Sequence, residues 1–135
     1  MSRILGIDFG TKRVGLALSD ESGTLARPYT AYDNNSDLIE QLILLVKQEK
    51  VETIVVGKPL TMGGKTGDTL KRTEYFTEQL RRALPDTQIE WQDERLSTKE
   101  VTFQRIRSGW SKKKRQSRKD AQAAANILQV YLDKK

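Results

Sequence analysis

The run RILGIDF at residues 3–9 is apolar at odd and even positions alike, so as a strand it needs cover on both faces. That requirement points to a central strand between two layers. GTKR follows as a glycine-led connection, VGLALSD at 14–20 reads as the second strand of a hairpin, and ESG turns into a third strand over 24–32. After DNNSD, rich in capping side chains, LIEQLILLVKQEK sets Leu38, Leu42, Leu45 and Val46 at helical spacing. VETIVVGKP then has the β-branched run and glycine-proline ending of a buried strand that enters a loop. A helix over about 68–84, a short strand TQIEW, a helix opened by the capping box STKE at 97–100 and a last helix DAQAAANILQVYL complete the chain. The order β-β-β-α-β-α-β-α-α implies an α/β fold, a mixed sheet of five strands with helices on both faces. At 135 residues one domain spanning 1–135 is expected.

Composition removes several chemistries. There is no cysteine and no histidine, which excludes disulfides, thiolate and imidazole zinc sites, and cysteine or histidine catalysis. No stretch of about 18 apolar residues and no leader-like N-terminus occurs, so a cytoplasmic location without a membrane is the expectation. Acids are then the natural place to look for chemistry. Asp8 ends the first strand, Asp93 and Glu94 fall just past the last one in WQDERLS, and Asp120 opens the final helix on the apolar stripe of Ala124, Ile127 and Leu128. If strands one and five are parallel with one strand between them, their carboxyl ends meet at the usual ligand crevice of such sheets. Asp120 also fits an ordinary N-terminal cap. Carboxylates brought together repel unless a cation lies among them, and Mg²⁺ or Mn²⁺, two ions when substrate is bound, suits oxygen donors and phosphodiester hydrolysis.

The positive charge is localised. Residues 107–119, RSGWSKKKRQSRK, hold seven basic side chains and no acid, while the whole chain carries +6. A nucleic-acid partner explains such a patch, and so does a solubilising loop. Within it Lys112, Lys113, Lys114 and Arg115 are candidate phosphate contacts on a mobile clamp. Trp110 suits stacking on a base or docking on the core. Lys12 and Arg13 beside Asp8 are further candidates, as are Lys58 and Lys65 in the glycine-rich loop GKPLTMGGKTGD, which is expected to border the crevice.

GIDFGTKRVGLALSD at 6–20, VVGKPLTMGG at 55–64, DERLST at 93–98 and AANILQVYL at 124–132 resemble the bacterial family of Holliday-junction-resolvase-like proteins, also described as pre-16S ribosomal RNA nucleases. The resemblance covers almost the whole chain. It implies a ribonuclease-H-like fold, cytoplasmic location, a role in 5′ maturation of 16S ribosomal RNA and, as partners, the 16S precursor and ribosomal assembly intermediates. The family's acidic motifs fall on Asp8, on Asp93 and Glu94, and on Asp120. Related resolvases favour Glu94 as the middle ligand, with Asp93 or Arg95 behind it. Family members carry a small apolar residue before the final acid, where this chain has Lys119.

Three rival readings share these residues. A four-way DNA junction offers the same phosphodiester to the same metals. GIDFGT also resembles the phosphate loop of actin-like and sugar-kinase ATPases, against which the length of the chain argues. A non-catalytic ribosomal RNA binder would use the same cations, yet has no need of acids beside phosphate.

Overall fold

The computed structural model describes residues 3–58, 67–93 and 112–134, with side chains from residue 69 in the second segment and from residue 116 in the third. Five strands, β1 (Arg3–Phe9), β2 (Arg13–Ser19), β3 (Ala26–Asp33), β4 (Val51–Lys58) and β5 (Gln88–Asp93), form one sheet in the order β3-β2-β1-β4-β5. β1 pairs antiparallel with β2 and β2 with β3, whereas β4 runs parallel to both β1 and β5. Helices α1 (Leu38–Gln48) and α2 (Gly67–Ala83) pack on one face, α3 (Lys112–Asp133) on the other. This is a ribonuclease-H-like α/β arrangement.

The central strand has the two-sided cover that its sequence requires. Leu5 and Ile7 point into the larger core with Leu42, Leu45, Ile54, Val56, Phe76 and Leu80. Ile4 points the other way, into a smaller core with Ala17, Val55, Ala124, Ile127 and Leu128. Fully burying each large aliphatic side chain contributes about 1.5–3 kcal/mol.

Two glycines in the apolar strands let α3 lie close on the sheet. A Cβ at Gly6 would come within 2.8 Å of Leu128 Cβ and 3.1 Å of the Ala124 carbonyl oxygen. One at Gly15 would come within 2.0 Å of the Asp120 carbonyl oxygen. The small side chains Ala121, Ala124 and Ala125, all buried, complete the close approach. Gly6→Ala is expected to cost about 1–3 kcal/mol, since Leu128 must shift to admit the methyl group. Urea denaturation measures this directly.

Connections follow local chemistry. In the β2–β3 turn the Asp20 carboxylate accepts from the Thr24 and Leu25 amides, and the Thr24 bond above all holds its pKa below the ordinary value of 3.8. The stability it contributes is present above the ordinary carboxylate range and is lost as pH falls through the depressed folded value. Between α1 and β4, Lys50 has φ 56°, the left-handed geometry that glycine accepts without penalty. Lys50→Gly should therefore stabilise the fold by up to about 1 kcal/mol, read as a higher denaturation midpoint.

One element differs from its expected course. The segment 112–119, anticipated as a mobile clamp ahead of a helix beginning at Asp120, is the first part of α3, so Asp120 is in the helix interior and is not a cap. Lys, Arg and Gln are good helix formers and no glycine or proline interrupts them, so the helix propagates backwards from its buried alanine face. The expected helix from Ser97 and the tip of the glycine-rich loop lie outside the described residues. Among those described, no helix is long and apolar enough to cross a membrane.

Candidate active site

Alternation along β1 decides where Asp8 points. Ile4 and the open side of Gly6 face α3, so Asp8, two residues further, faces α3 as well. Its cross-strand partner is Gly15, about 5 Å away. Above Gly15 sits the backbone of Asp120. Asp8 and Asp120, 112 residues apart in sequence, therefore share one side of the sheet at the carboxyl end of β1. On the other flank Gly57 follows the Ile7–Val56 pair, so neither neighbouring strand sets a side chain beside Asp8.

Asp120 is held from two directions. Arg13 Nε donates to Oδ2 at 2.8 Å, and Gln116 Nε2, one helical turn earlier, donates to Oδ1 at 3.2 Å. The Arg13 and Asp120 side chains are 36% and 21% exposed, so water screens the ion pair only partly. Arg13→Gln should cost about 0.5–1 kcal/mol of stability, less in high salt. Cleavage should fall more than stability, because the Asp120 carboxylate loses the contact that orients it. Comparing melting with single-turnover rates separates the two effects.

The connection between β1 and β2 is pinned from β3's end. Asn34 donates through Nδ2 to the Gly10 carbonyl at 2.8 Å and through its amide to the Lys12 carbonyl at 2.9 Å. Lys12 is exposed beside Arg13, and both line a groove of about 830 Å³ that Tyr32, Gln116 and Ser117 also border. Lys112, Lys113, Lys114 and Arg115 precede Gln116 at the start of α3.

The remaining candidates separate. In β5, Ile89 and Trp91 pack into the larger core, so alternation carries Asp93 to that same face, across the sheet from Asp8 and Asp120. Among the described residues Asp8 and Asp120 thus share one face of the sheet, and Asp93, two positions after Trp91 in β5, takes the other. Its partner in β4 is Lys58, whose Nζ lies 5.7 Å from the Trp91 ring centroid, a cation–π contact on the α1–α2 side. Glu94, Lys65 and Trp110 lie outside the described residues.

The sequence marks Arg13 as a phosphate contact, whereas its bond to Asp120 joins residues 107 positions apart and no local pattern announces it. The hydrogen bond from Gln116 is likewise unannounced. A signal for Gly15 did exist, since an isolated glycine inside the apolar strand RVGLALS marks close approach of another backbone.

The donor set here is oxygen only, and two carboxylates flanked by glycines fit a hard divalent cation better than any softer metal. Among the described residues, no three Asp, Glu, His or Cys side chains converge into a complete metal site.

Comparison with known proteins agrees with this architecture. The Thermus thermophilus RuvC structure in complex with Holliday junction substrate matches in fold at TM-score 0.64 and 13% identity, over 98% of this chain and 94% of that one. The fowlpox virus resolvase bound to Holliday junction DNA matches at TM-score 0.56 and 12% identity, over 98% and 97%. A Sulfurihydrogenibium protein named "Putative pre-16S rRNA nuclease" is 37% identical over 135 residues, 99% of this chain and 92% of its own. A protein of the same name from Halalkalibacterium halodurans is 42% identical over 137 residues, covering 98% and 96%. The family model described as RuvX, Holliday junction resolvase, matches residues 2–134. With that near end-to-end match and relatives this similar, the chain belongs to the RuvX family, whose membership implies a metal-dependent mechanism.

Proposed function

We propose that this chain is a single-domain, cytoplasmic endonuclease that hydrolyses phosphodiester bonds in the 5′ maturation of pre-16S ribosomal RNA, the substrate for which its relatives are named. The observation that carries the reading is the placement of Asp8 and Asp120 on one face of the sheet, with Lys12 and Arg13 beside them. Acids alone would repel an RNA strand, and cations alone would only bind it. Their adjacency suits a site that grips phosphate and acts on it.

Asp8 and Asp120 would hold Mg²⁺ or Mn²⁺, with Glu94 as the third ligand by the resemblance to related resolvases. Two such ions, once bound with substrate, supply neutralisation of the phosphate and a more acidic water. Asp93, on the other face of the sheet, stays apart from the metal. Arg13 orients Asp120 in the free protein and lies near enough to the groove to take a phosphate oxygen when RNA arrives. Four successive cations in the first turn of α3 sit against the helix's own positive end, an arrangement that costs stability until a polyanion neutralises it.

The test is a direct comparison: purified protein with Mg²⁺ or Mn²⁺ against a 16S precursor carrying its 5′ leader and against a synthetic four-way DNA junction. Cleavage within the leader with an intact junction is the expected result. Preferential cutting of the junction would replace this reading with that of a resolvase, and binding without cleavage of either would leave an RNA-binding assembly factor.

A further inference from the structure

We infer that the groove between α1 and α2 holds an unpaired nucleotide of the RNA strand whose phosphodiester lies at Asp8, an inference that rests on the nuclease reading above. The groove has a volume of about 420 Å³, within the range of small-molecule pockets and adequate for one nucleotide. Its floor is the stacked pair Phe9 and Phe76, with ring centroids 4.6 Å apart and planes 26° from parallel. Tyr75 forms one wall and is 68% exposed, an unusual position for a large aromatic residue on a helix that keeps Phe76 and Leu80 buried. Lys71 and Arg72 stand on the rim, and among the described residues no acidic side chain lines the groove. Neither cation is in an ion pair among the described residues, where α2's one pair joins Arg81 to Glu78.

Position connects this groove to the acids. Phe9 directly follows Asp8 and points to the opposite face, so the groove opens across the sheet from the carboxylates at the same end of β1. Thr11, in the turn between β1 and β2, lines it, and Lys12 next to Thr11 lines the groove beside Asp120. A strand crossing that turn would pass from one groove to the other. Asn34, which pins the turn, also lines the α1–α2 groove and can meet the edge of a base.

The chemistry selects the occupant. The exposed Tyr75 ring accepts the face of any base over an apolar floor, cations at the rim accept its phosphate, and amide side chains accept its edge, the combination by which proteins take single-stranded RNA. An apolar peptide would have no use for the two rim cations.

The experiment uses the full chain in EDTA, so that no RNA is cut, with a single-stranded leader RNA carrying 4-thiouridine. Irradiation should attach RNA to the tryptic peptide of residues 73–81, TEYFTEQLR, which contains Tyr75 and Phe76. Tyr75→Ala should weaken RNA binding about 5- to 150-fold, the range that loss of one base stack produces, while Tyr75→Phe keeps it. Changing Lys71 and Arg72 together to Gln should lower the slope of log affinity against log salt by about 1.4 units, roughly 0.7 for each single-strand phosphate contact. Because Tyr75 is mostly exposed, thermal melting of these variants should match the parent and rule out misfolding. Adducts confined to other peptides together with unchanged affinity in Tyr75→Ala would overturn the inference, whether the occupant is a protein or nothing at all. Cleavage of the precursor by the wild type with Mg²⁺ is read separately. Adducts at 73–81 without cleavage would keep the groove and remove the nuclease reading, and cleavage without such adducts would do the reverse.

Discussion

Asp8→Asn is expected to lower single-turnover cleavage by about 10³-fold, the order found when a group that stabilises transition-state charge is removed. Folding should be nearly unaffected, with stability changed by less than about 1 kcal/mol. The asymmetry follows from where Asp8 sits. It faces α3 at the end of β1, half-buried, with Gly15 opposite and Gly57 one step along the next strand, so its packing contribution is small. Asparagine keeps the shape and the capacity to accept a hydrogen bond. Cleavage of the leader by this variant at near-normal rate, with normal melting, would remove Asp8 from the chemistry.

Gly15→Ala should have the largest effect on stability, about 3 kcal/mol or more, and should abolish cleavage with it. The new Cβ would lie 2.0 Å from the Asp120 carbonyl oxygen and 2.5 Å from its carbon. Both are backbone atoms, so no side-chain rotation relieves the clash. Either β2 bends or α3 lifts, and a lifted α3 loses the seating of Ala124 and Leu128 over Gly6 and carries Asp120 away from Asp8. Gly6→Ala meets a side-chain atom at 2.8 Å and should be milder. Urea denaturation of the two variants gives their order, and an unchanged midpoint for Gly15→Ala would contradict the close packing of α3 on β2.

The two-sided burial of β1 and β4 was legible because apolar periodicity reports directly on which faces are covered, as RILGIDF and VETIVVGKP show, whereas the order of the strands in the sheet came only with the fold. Asp8 and Asp120 stood out for a related reason, an acid placed on an apolar face. The start of α3 was hidden because KKKRQSRK has no apolar period, and its helicity is inherited from the buried alanines that follow. The face of Asp93 was hidden by one residue of strand length, since a single step in an extended chain reverses the side. Arg13's hold on Asp120 depends on how α3 docks, and only the tertiary arrangement brings those two residues together.

We propose that Asp8 and Asp120 form one metal-dependent site on the α3 face, without Asp93. Titration of Mn²⁺ into the wild-type protein and into Asp8→Asn, Asp120→Asn and Asp93→Asn, followed by electron paramagnetic resonance, tests it without relying on any substrate. The first two variants should lose most of the wild-type binding and Asp93→Asn should retain it. Loss of binding in Asp93→Asn with full retention in Asp120→Asn would place the metal on the opposite face of the sheet instead.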